Sequence, residues 1–281
     1  MAKPDKKPPR PANRSGARPP VPSTTDWSDI SSWYDALVGS EGSEYHREVV
    51  LPGVVRLLRA TPGQRVLDVA CGQGVLCRWL MQQGIQTTGI DAAPDLITAA
   101  RSHGPGDFLV GDARDLSMLS RDAYDAAACV LAIQNIHPIG GVFTGVAAAL
   151  KPGGRFVIAM MHPAFRGPKE THWGWDEAGK VQYRRVDRYL LPRKIPITAH
   201  PGKKASAYTW SFHKPIEHYI KAAARAGLLI DALEEWPSHK TSQPGPRQAA
   251  ENQARKEIPM FMAMRCVKVQ SPSEGAEDLP E

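Results

Sequence analysis

The chain has 281 residues, of which 42% are hydrophobic and 23% are charged. This composition is typical of a globular protein, and the length suits one large domain with appendages. No run of about 18 consecutive apolar residues occurs, so no transmembrane helix is predicted. The basic N-terminus has no apolar stretch behind it, so no secretory signal is predicted either. A cytoplasmic location without membrane contact is the resulting expectation.

The net charge of +6 is unevenly distributed. Residues 1–25 hold six basic side chains and one acidic one, and residues 163–214 hold eleven Lys or Arg against four Asp or Glu. The basicity therefore belongs to one tail and one central segment, which makes nucleic acid a possible partner but not the favoured one.

Composition divides the chain into three parts. Residues 1–25 are rich in Pro, Lys, Arg and Ser and are predicted to be a disordered basic tail. Residues 26–270 are predicted to form the folded domain, and residues 271–281 a short disordered acidic tail. The four cysteines form no CxxC pair and have no histidine at metal spacing, so reduced thiols and no metal site are expected.

Helical and strand patterns alternate along the folded domain. Predicted helices cover residues 27–38, 44–58, 75–83, 94–104, 142–150 and 215–226. Predicted strands cover 65–70, 86–91, 108–111, 124–133, 156–161, 228–235 and 260–269. This alternation, with continuously apolar strands, predicts a parallel sheet covered by helices on both faces. Residues 163–214 interrupt it with a long irregular stretch, rich in aromatic and basic residues, which is predicted to be an inserted cap.

The most informative motif is the end of the first predicted strand. Residues 66–74 read Val-Leu-Asp-Val-Ala-Cys-Gly-Gln-Gly, so a strand runs into a Gly-x-Gly turn and then into a helix. Ligands of open α/β sheets bind outside the carboxyl ends of the strands, and Gly72 and Gly74 let the backbone approach such a ligand. A dinucleotide loop is disfavoured, because Cys77 replaces its third glycine and Asp68 would repel a pyrophosphate. Asp68 would instead attract an ammonium group.

Two further acidic residues follow the next strands. Asp91 ends the second predicted strand, where it can accept hydrogen bonds from ribose hydroxyls. Asp112 follows the third strand, where it can accept from an adenine amino group or simply cap the following turn. An ammonium, a ribose and an adenine in this order describe S-adenosylmethionine.

These segments resemble those of class I S-adenosylmethionine-dependent methyltransferases, as does the Leu-Lys-Pro-Gly-Gly turn at 150–154. The resemblance covers residues 48–162 well. It implies an α/β fold with a seven-stranded, mostly parallel, doubly wound Rossmann-like sheet whose final strand is antiparallel. It assigns the glycine turn to the methionine moiety, Asp91 to ribose, and Asp112 with Ala113 to adenine. The complete set of expected cofactor contacts is Asp68, Ala70, Gly72, Gly74, Asp91, Ala92, Asp112, Ala113 and Leu131.

Two histidines are the predicted catalytic residues. His162 follows the fifth predicted strand and His137 the fourth, so both should border the cleft, although a His-Pro dipeptide is equally a turn former. His162 is the first candidate for a general base, because imidazole can take a proton from a hydroxyl at neutral pH. His137 is the second.

The predicted function is methyl transfer from S-adenosylmethionine to a small anionic or aromatic molecule with an oxygen or nitrogen nucleophile. An RNA methyltransferase and a non-catalytic S-adenosylmethionine-binding protein are the alternatives. The Gln-Asn-Ile-His sequence at 134–137 departs from the Pro-Pro-aromatic sequence of DNA amine methylases, so that activity is not expected.

Overall fold

The computed structural model describes residues 38–198 and 208–269. The predicted tails at 1–25 and 271–281 lie outside these ranges, as does the predicted helix at 27–38 apart from its last residue.

Eleven strands lie within the described residues, and seven of them form the central sheet. In chain order they are β1 Arg65–Val69, β2 Gln86–Asp91, β3 Asp107–Val110, β4 Tyr124–Val130, β5 Leu150–Met161, β6 Thr171–Asp176, β7 Val181–Val186, β8 Arg193–Thr198, β9 Tyr208–His213, β10 Leu228–Trp236 and β11 Phe261–Lys268. The sheet order is β10-β11-β5-β4-β1-β2-β3. β11 runs antiparallel to both β5 and β10, and all other pairings in this sheet are parallel. The predicted seven-stranded, mostly parallel, doubly wound sheet with an antiparallel last strand is therefore confirmed.

Helices cover both faces of this sheet. They are α1 Leu51–Leu58, α2 Val75–Met81, α3 Pro94–His103, α4 Gly140–Ala149, α5 Ile216–Arg225 and α6 Gln248–Glu257, with a π-helical turn at His46–Val50 and a 3-10 turn at Ile133–Asn135. The central strand β4 shows why two faces are needed. Ala126 and Ala128 pack in the core cluster that contains α1 and α2, whereas Ala127 and Cys129 pack in the cluster that contains α4 and α5. This period of two leaves β4 buried on both sides.

The described part of the 163–214 segment, residues 163–198 and 208–214, is not irregular, and that prediction was wrong. β6 pairs with β7, and β8 with β9, as two antiparallel two-stranded sheets. β7 gave a weak sequence pattern because it alternates between exposed and half-buried positions only. β9 gave none because its buried positions, Thr209, Ser211 and His213, are polar. The helix α6 was missed because Ala254 is its one buried residue.

The chain changes direction across the sheet between β1 and β4. From β1 the order proceeds to β2 and β3, and from β4 it proceeds the other way to β5. Such a switch point opens a crevice at the carboxyl ends of the two strands, where ligands of α/β sheets bind. Among the described helices, none is long and apolar enough to cross a membrane.

Candidate active site

Both strands at the switch point end in a strained residue. Ala70 follows β1 with φ 58°, and Leu131 follows β4 with φ 53°. Left-handed φ values are unfavourable for residues with a side chain, and they concentrate at binding and catalytic sites. Both residues were predicted cofactor contacts, so the backbone geometry draws attention to the same two positions.

The glycine turn that follows β1 is fixed by backbone contacts. Gly72 and Gly74 have φ of 54° and 78°, and the Cys71 N–H donates to Ile90 O at 3.0 Å. A Cβ on Gly74 would lie 2.7 Å from Cε1 of Phe108. Gly74 is therefore required by its φ and by Phe108 packing, a reason that the sequence analysis did not anticipate.

Asp91 ties the turn to the end of β2. Its Oδ2 accepts from Gly72 N and its Oδ1 from Ala93 N, both at 2.9 Å. Burial raises the pKa of this carboxyl, and these backbone donors oppose the shift. Each carboxylate oxygen has a second acceptor position, so Asp91 can hold the turn and still accept from a ligand hydroxyl.

Asp68 lies beneath the turn and is only 2% exposed. Burial raises its pKa to about 7, the Cys77 thiol at 3.5 Å from Oδ2 lowers it, and the nearby Asp91 raises it further. Within residues 38–198 and 208–269, no basic side chain forms an ion pair with Asp68 or contributes to its pKa shift. Two buried carboxyls without a cation make this region a suitable environment for a positively charged ligand group.

Asp112 is engaged by a neighbouring arginine. Arg114 donates from Nε to Oδ1 at 3.0 Å, from Nη2 to Oδ2 at 2.5 Å and from its backbone N to Oδ1 at 2.8 Å. The arginine holds the pKa of the Asp112 carboxyl below its usual range. Asp112 thus caps its turn, as the alternative interpretation held, and remains 42% exposed toward a ligand. Ala113 beside it is buried, whereas Ala92 after β2 is exposed.

His162 is held by both of its ring nitrogens. Nδ1 accepts from Ala164 N at 3.1 Å and Phe165 N at 3.3 Å, and Nε2 lies 2.7 Å from Oε1 of Glu235. Because Nδ1 accepts, Nε2 carries the proton that it donates to Glu235. Burial lowers the pKa of His162, and Glu235 partly opposes this. Both nitrogens of the neutral ring are thus engaged, which leaves no free lone pair for the predicted general base in this structure.

His137 is exposed and stacks on Phe212, with ring centroids 5.0 Å apart. Burial lowers the pKa of His137, and the nearby Lys214, Arg114 and Lys194 lower it further. The His137 ring is not part of the wall of the cavity described next, but it stacks on Phe212, which is.

A cavity of about 360 Å³ opens at the carboxyl ends of β4 and β5. Most of its wall comes from the 163–214 segment. The lining residues are Leu131, Gln134, Asn135, Met161, His162, Pro163, Arg166, Gly167, Pro168, Ile197, Ser211, Phe212, His213, Lys214 and Tyr219. The cavity thus brings together Leu131 and His162, two predicted site residues that follow the neighbouring strands β4 and β5. The wall is largely apolar with a few polar groups, which is typical of small-molecule sites.

Sequence reasoning missed the polar groups of this wall. Gln134 donates from Nε2 to Leu131 O at 2.6 Å, and its Oε1 is buried without a partner in the described part of the chain, as is Oδ1 of Asn135. Arg166 and Lys214 line the same wall. These residues follow strands β4, β5 and β9, so their position just after a strand end was the one available sequence signal.

Comparison with known proteins agrees with this geometry. The family model described as a methyltransferase domain matches residues 67–158, which span β1 to β5. The ubiquinone biosynthesis O-methyltransferase of Xanthomonas campestris pv. campestris (strain B100) is 33% identical over 108 residues, 37% of this chain and 45% of that protein. The chain thus spans less than half the length of this relative. The enzyme of the same name from Xylella fastidiosa (strain M23) is 35% identical over 190 residues, 64% of this chain and 77% of that protein.

The same class emerges from solved structures. An S-adenosylmethionine dependent methyltransferase from Mesorhizobium loti superimposes with a TM-score of 0.62 and 26% identity, over 82% of this chain and 100% of that one. The doubly wound sheet, the glycine turn and these relatives define one class of protein. The chain belongs to the class I S-adenosylmethionine-dependent methyltransferases. Its cofactor is accordingly S-adenosylmethionine.

Proposed function

We propose that this chain transfers the methyl group of S-adenosylmethionine to a hydroxyl oxygen of a small molecule held in the cavity beside Leu131. The observation that carries the proposal is this cavity, which adjoins the switch point and is lined by Gln134 and Asn135, whose buried amide oxygens lack partners among the described residues. A rotation of either amide toward the cavity would let its oxygen accept a hydrogen bond from an acceptor hydroxyl and orient that hydroxyl for reaction. The relatives named O-methyltransferases support an oxygen nucleophile.

The cofactor is proposed to lie across the ends of β1, β2 and β3. S-adenosylmethionine, when bound, supplies a methyl group that is already activated by a sulfonium. Asp68 provides negative charge for the ammonium, and the free acceptor positions of Asp91 receive ribose hydroxyls. Asp112 with Ala113 borders the adenine, while Ala92 and Leu131 contact the edges of the ligand. The two buried carboxyls without a cation are the feature of this chain that fits a cationic cofactor.

The residues around the cavity have mainly orienting roles in this proposal. Displacement at an activated methyl group needs alignment and exclusion of water more than it needs acid–base chemistry. His162, fixed by three hydrogen bonds, holds the backbone of residues 164 and 165 in place below the cavity. His137 stays the second candidate for a proton acceptor, but its ring stacks on Phe212 at the border of the cavity and would have to turn toward the acceptor hydroxyl to act.

The cavity also favours a small molecule over RNA. A volume of about 360 Å³ suits a compact ligand, and its wall is largely apolar, whereas single-stranded RNA is held in charged grooves with aromatic stacking platforms. RNA affinity that falls steeply with salt would favour the RNA alternative instead.

The direct test is methyl transfer to a panel of hydroxyl compounds, followed by mass spectrometry of the products. Asn135→Leu should raise the Michaelis constant for an accepted compound and leave cofactor affinity unchanged, since it removes one acceptor in the cavity. Asp115→Asn, on the exposed turn after β3, is the matched control. Absence of transfer to every compound by a protein that binds the cofactor would contradict the proposal.

A further inference from the structure

Arg166 is a cation without a counter-ion among the described residues. Its side chain lines the cavity and is half-buried, and its Nε is shielded from solvent with no hydrogen-bond partner in the described structure. Burial, Arg184 and Arg255 together lower the pKa of Arg166 to about 10; Tyr45 opposes this shift, and no carboxylate does. Desolvating a guanidinium without an anion is costly, so such a group points to a ligand.

The surroundings of Arg166 add to this cost. Its guanidinium carbon lies 5.2 Å from the centroid of the Trp173 ring, and that of Arg184 lies 5.0 Å from the same centroid. Arg184 is held by neutral acceptors only, Phe165 O at 2.8 Å and Thr171 Oγ1 at 2.5 Å. Two like charges thus share one aromatic ring, and the ring offsets only part of their repulsion.

Three other basic residues of the 163–214 segment differ in this respect. Arg185 bonds Asp187, Arg193 bonds Glu170 and Lys180 bonds Glu177. These pairs neutralise the three charges, two of them at the surface and that of Arg193 in a more buried position. Arg166 instead keeps its charge on the cavity wall.

A second buried cation lines the same wall. Lys214 is 6% exposed, and its Nζ donates to Ile136 O at 3.1 Å and to Phe212 O at 3.5 Å. Burial lowers the pKa of its ammonium to about 8. An ammonium has three hydrogens and Lys214 has two described acceptors, so one hydrogen is left for an anion. Both acceptors are carbonyl oxygens, so neither neutralises the charge.

We propose that the cavity binds an anionic acceptor, an apolar or aromatic body with a carboxylate or phosphate group, and that Arg166 binds this group. The proposal rests on the proposed function, which places the acceptor in this cavity. Leu131, Met161, Phe212 and Tyr219 supply the apolar surface for the body of the molecule. A guanidinium is well suited to the anion, since it can form two parallel hydrogen bonds to a carboxylate or phosphate.

Benzoate and benzamide are a matched pair of probes, because they share shape and differ in charge. Each is titrated by calorimetry into the protein bound to S-adenosylhomocysteine. We expect benzoate to bind at least about tenfold more tightly than benzamide, given the strength of charged hydrogen bonds. Phosphate alone is titrated in parallel, and binding of phosphate in preference to benzoate would identify the anion as a phosphate group.

The variant Arg166→Met should weaken benzoate binding by about tenfold or more and leave benzamide binding within about twofold. Arg166→Lys should restore part of the benzoate affinity, and Arg185→Met, which removes a paired surface arginine of the same segment, should change neither probe. If Arg166→Met does not fold, Arg166→Gln is measured in the same way. Equal binding of the two probes, no benzoate binding up to about 10 mM, or equal losses in Arg166→Met and Arg185→Met would each overturn the inference.

The two proposals fail in different ways. If the protein methylates a neutral hydroxyl compound and Arg166→Met leaves its kcat/KM unchanged, the proposed function holds and the anion site is wrong. If benzoate binding depends on Arg166 but no compound is ever methylated, the anion site holds and the proposed function is wrong.

Discussion

Replacing Asp68 by asparagine should stabilise the ligand-free protein at neutral and alkaline pH. Asp68 is 2% exposed, and burial raises its pKa from 3.8 to about 7. The folded state therefore holds this proton more tightly than the unfolded state, and stability falls as pH rises from about 4 to 7. A shift of about three pKa units corresponds to about 4 kcal/mol, at about 1.4 kcal/mol per unit.

The variant should remove this pH dependence, because asparagine stays neutral with nearly the same shape. At about pH 8 the variant should be more stable by up to about 4 kcal/mol, or about 10 °C in melting temperature for a domain of this size. At about pH 4, where Asp68 is protonated, the two proteins should be nearly equal. Urea unfolding and thermal melts across this range measure the difference.

The same change should weaken S-adenosylmethionine binding, since the proposed ammonium site loses its negative charge. Stability without ligand and affinity for ligand should thus move in opposite directions, which calorimetry on the same samples can establish. Asp176→Asn, which changes an exposed carboxyl at the end of β6, is the control and should alter neither quantity. An Asp68→Asn variant that is less stable at about pH 8, with the pH slope of the wild type retained, would refute the reasoning.

Three further predictions concern single residues. Gly74→Ala should destabilise the protein by about 2–4 kcal/mol, because Gly74 has φ 78° and an added Cβ would overlap Phe108. Gly63→Ala should cost only about 1–2 kcal/mol, because Gly63 has φ 86° but open space around it. Equal losses in urea unfolding would contradict the packing argument. His162→Ala should raise the acceptor's Michaelis constant and lower kcat less than about tenfold, and a loss of about 100-fold in kcat would reinstate it as the general base. Lys214→Met should stabilise the ligand-free protein below about pH 8, because the folded state disfavours the charged ammonium. The difference in melting temperature between variant and wild type should shrink as pH rises from about 8 to 10.5.

Sequence patterns predicted the central sheet because its strands are buried on both faces. β4 and the 156–161 part of β5 are almost entirely apolar, so element type and order followed directly. The hairpins of the 163–214 segment lie at the surface and pack on one side at most. Their hydrophobic patterns are correspondingly weak, and the segment was therefore predicted to be irregular.

The site divides in the same way. Asp68, Asp91 and the glycine turn could be predicted because they lie within a few residues of strand ends whose order the pattern already indicated. Arg166 and Lys214 are 48 residues apart in the numbering and meet at one cavity only through the pairing of β8 with β9 and their contact with the sheet. The hydrogen bond between His162 and Glu235 was also beyond sequence reasoning, because the two residues are 73 positions apart.

The position of β11 has a consequence for how the chain folds. This strand is the last in the described chain, yet it pairs with both β5 and β10, and β10 has no other partner in the central sheet. During synthesis, about 30 further residues must therefore be added before β11 is complete and β10 can pair with it, and until then β5 is an open edge of the sheet. Closing these contacts late favours slow folding and gives the nascent sheet an exposed edge that can pair with other chains. A chain that stops before residue 261 would lose not one strand of the sheet but two.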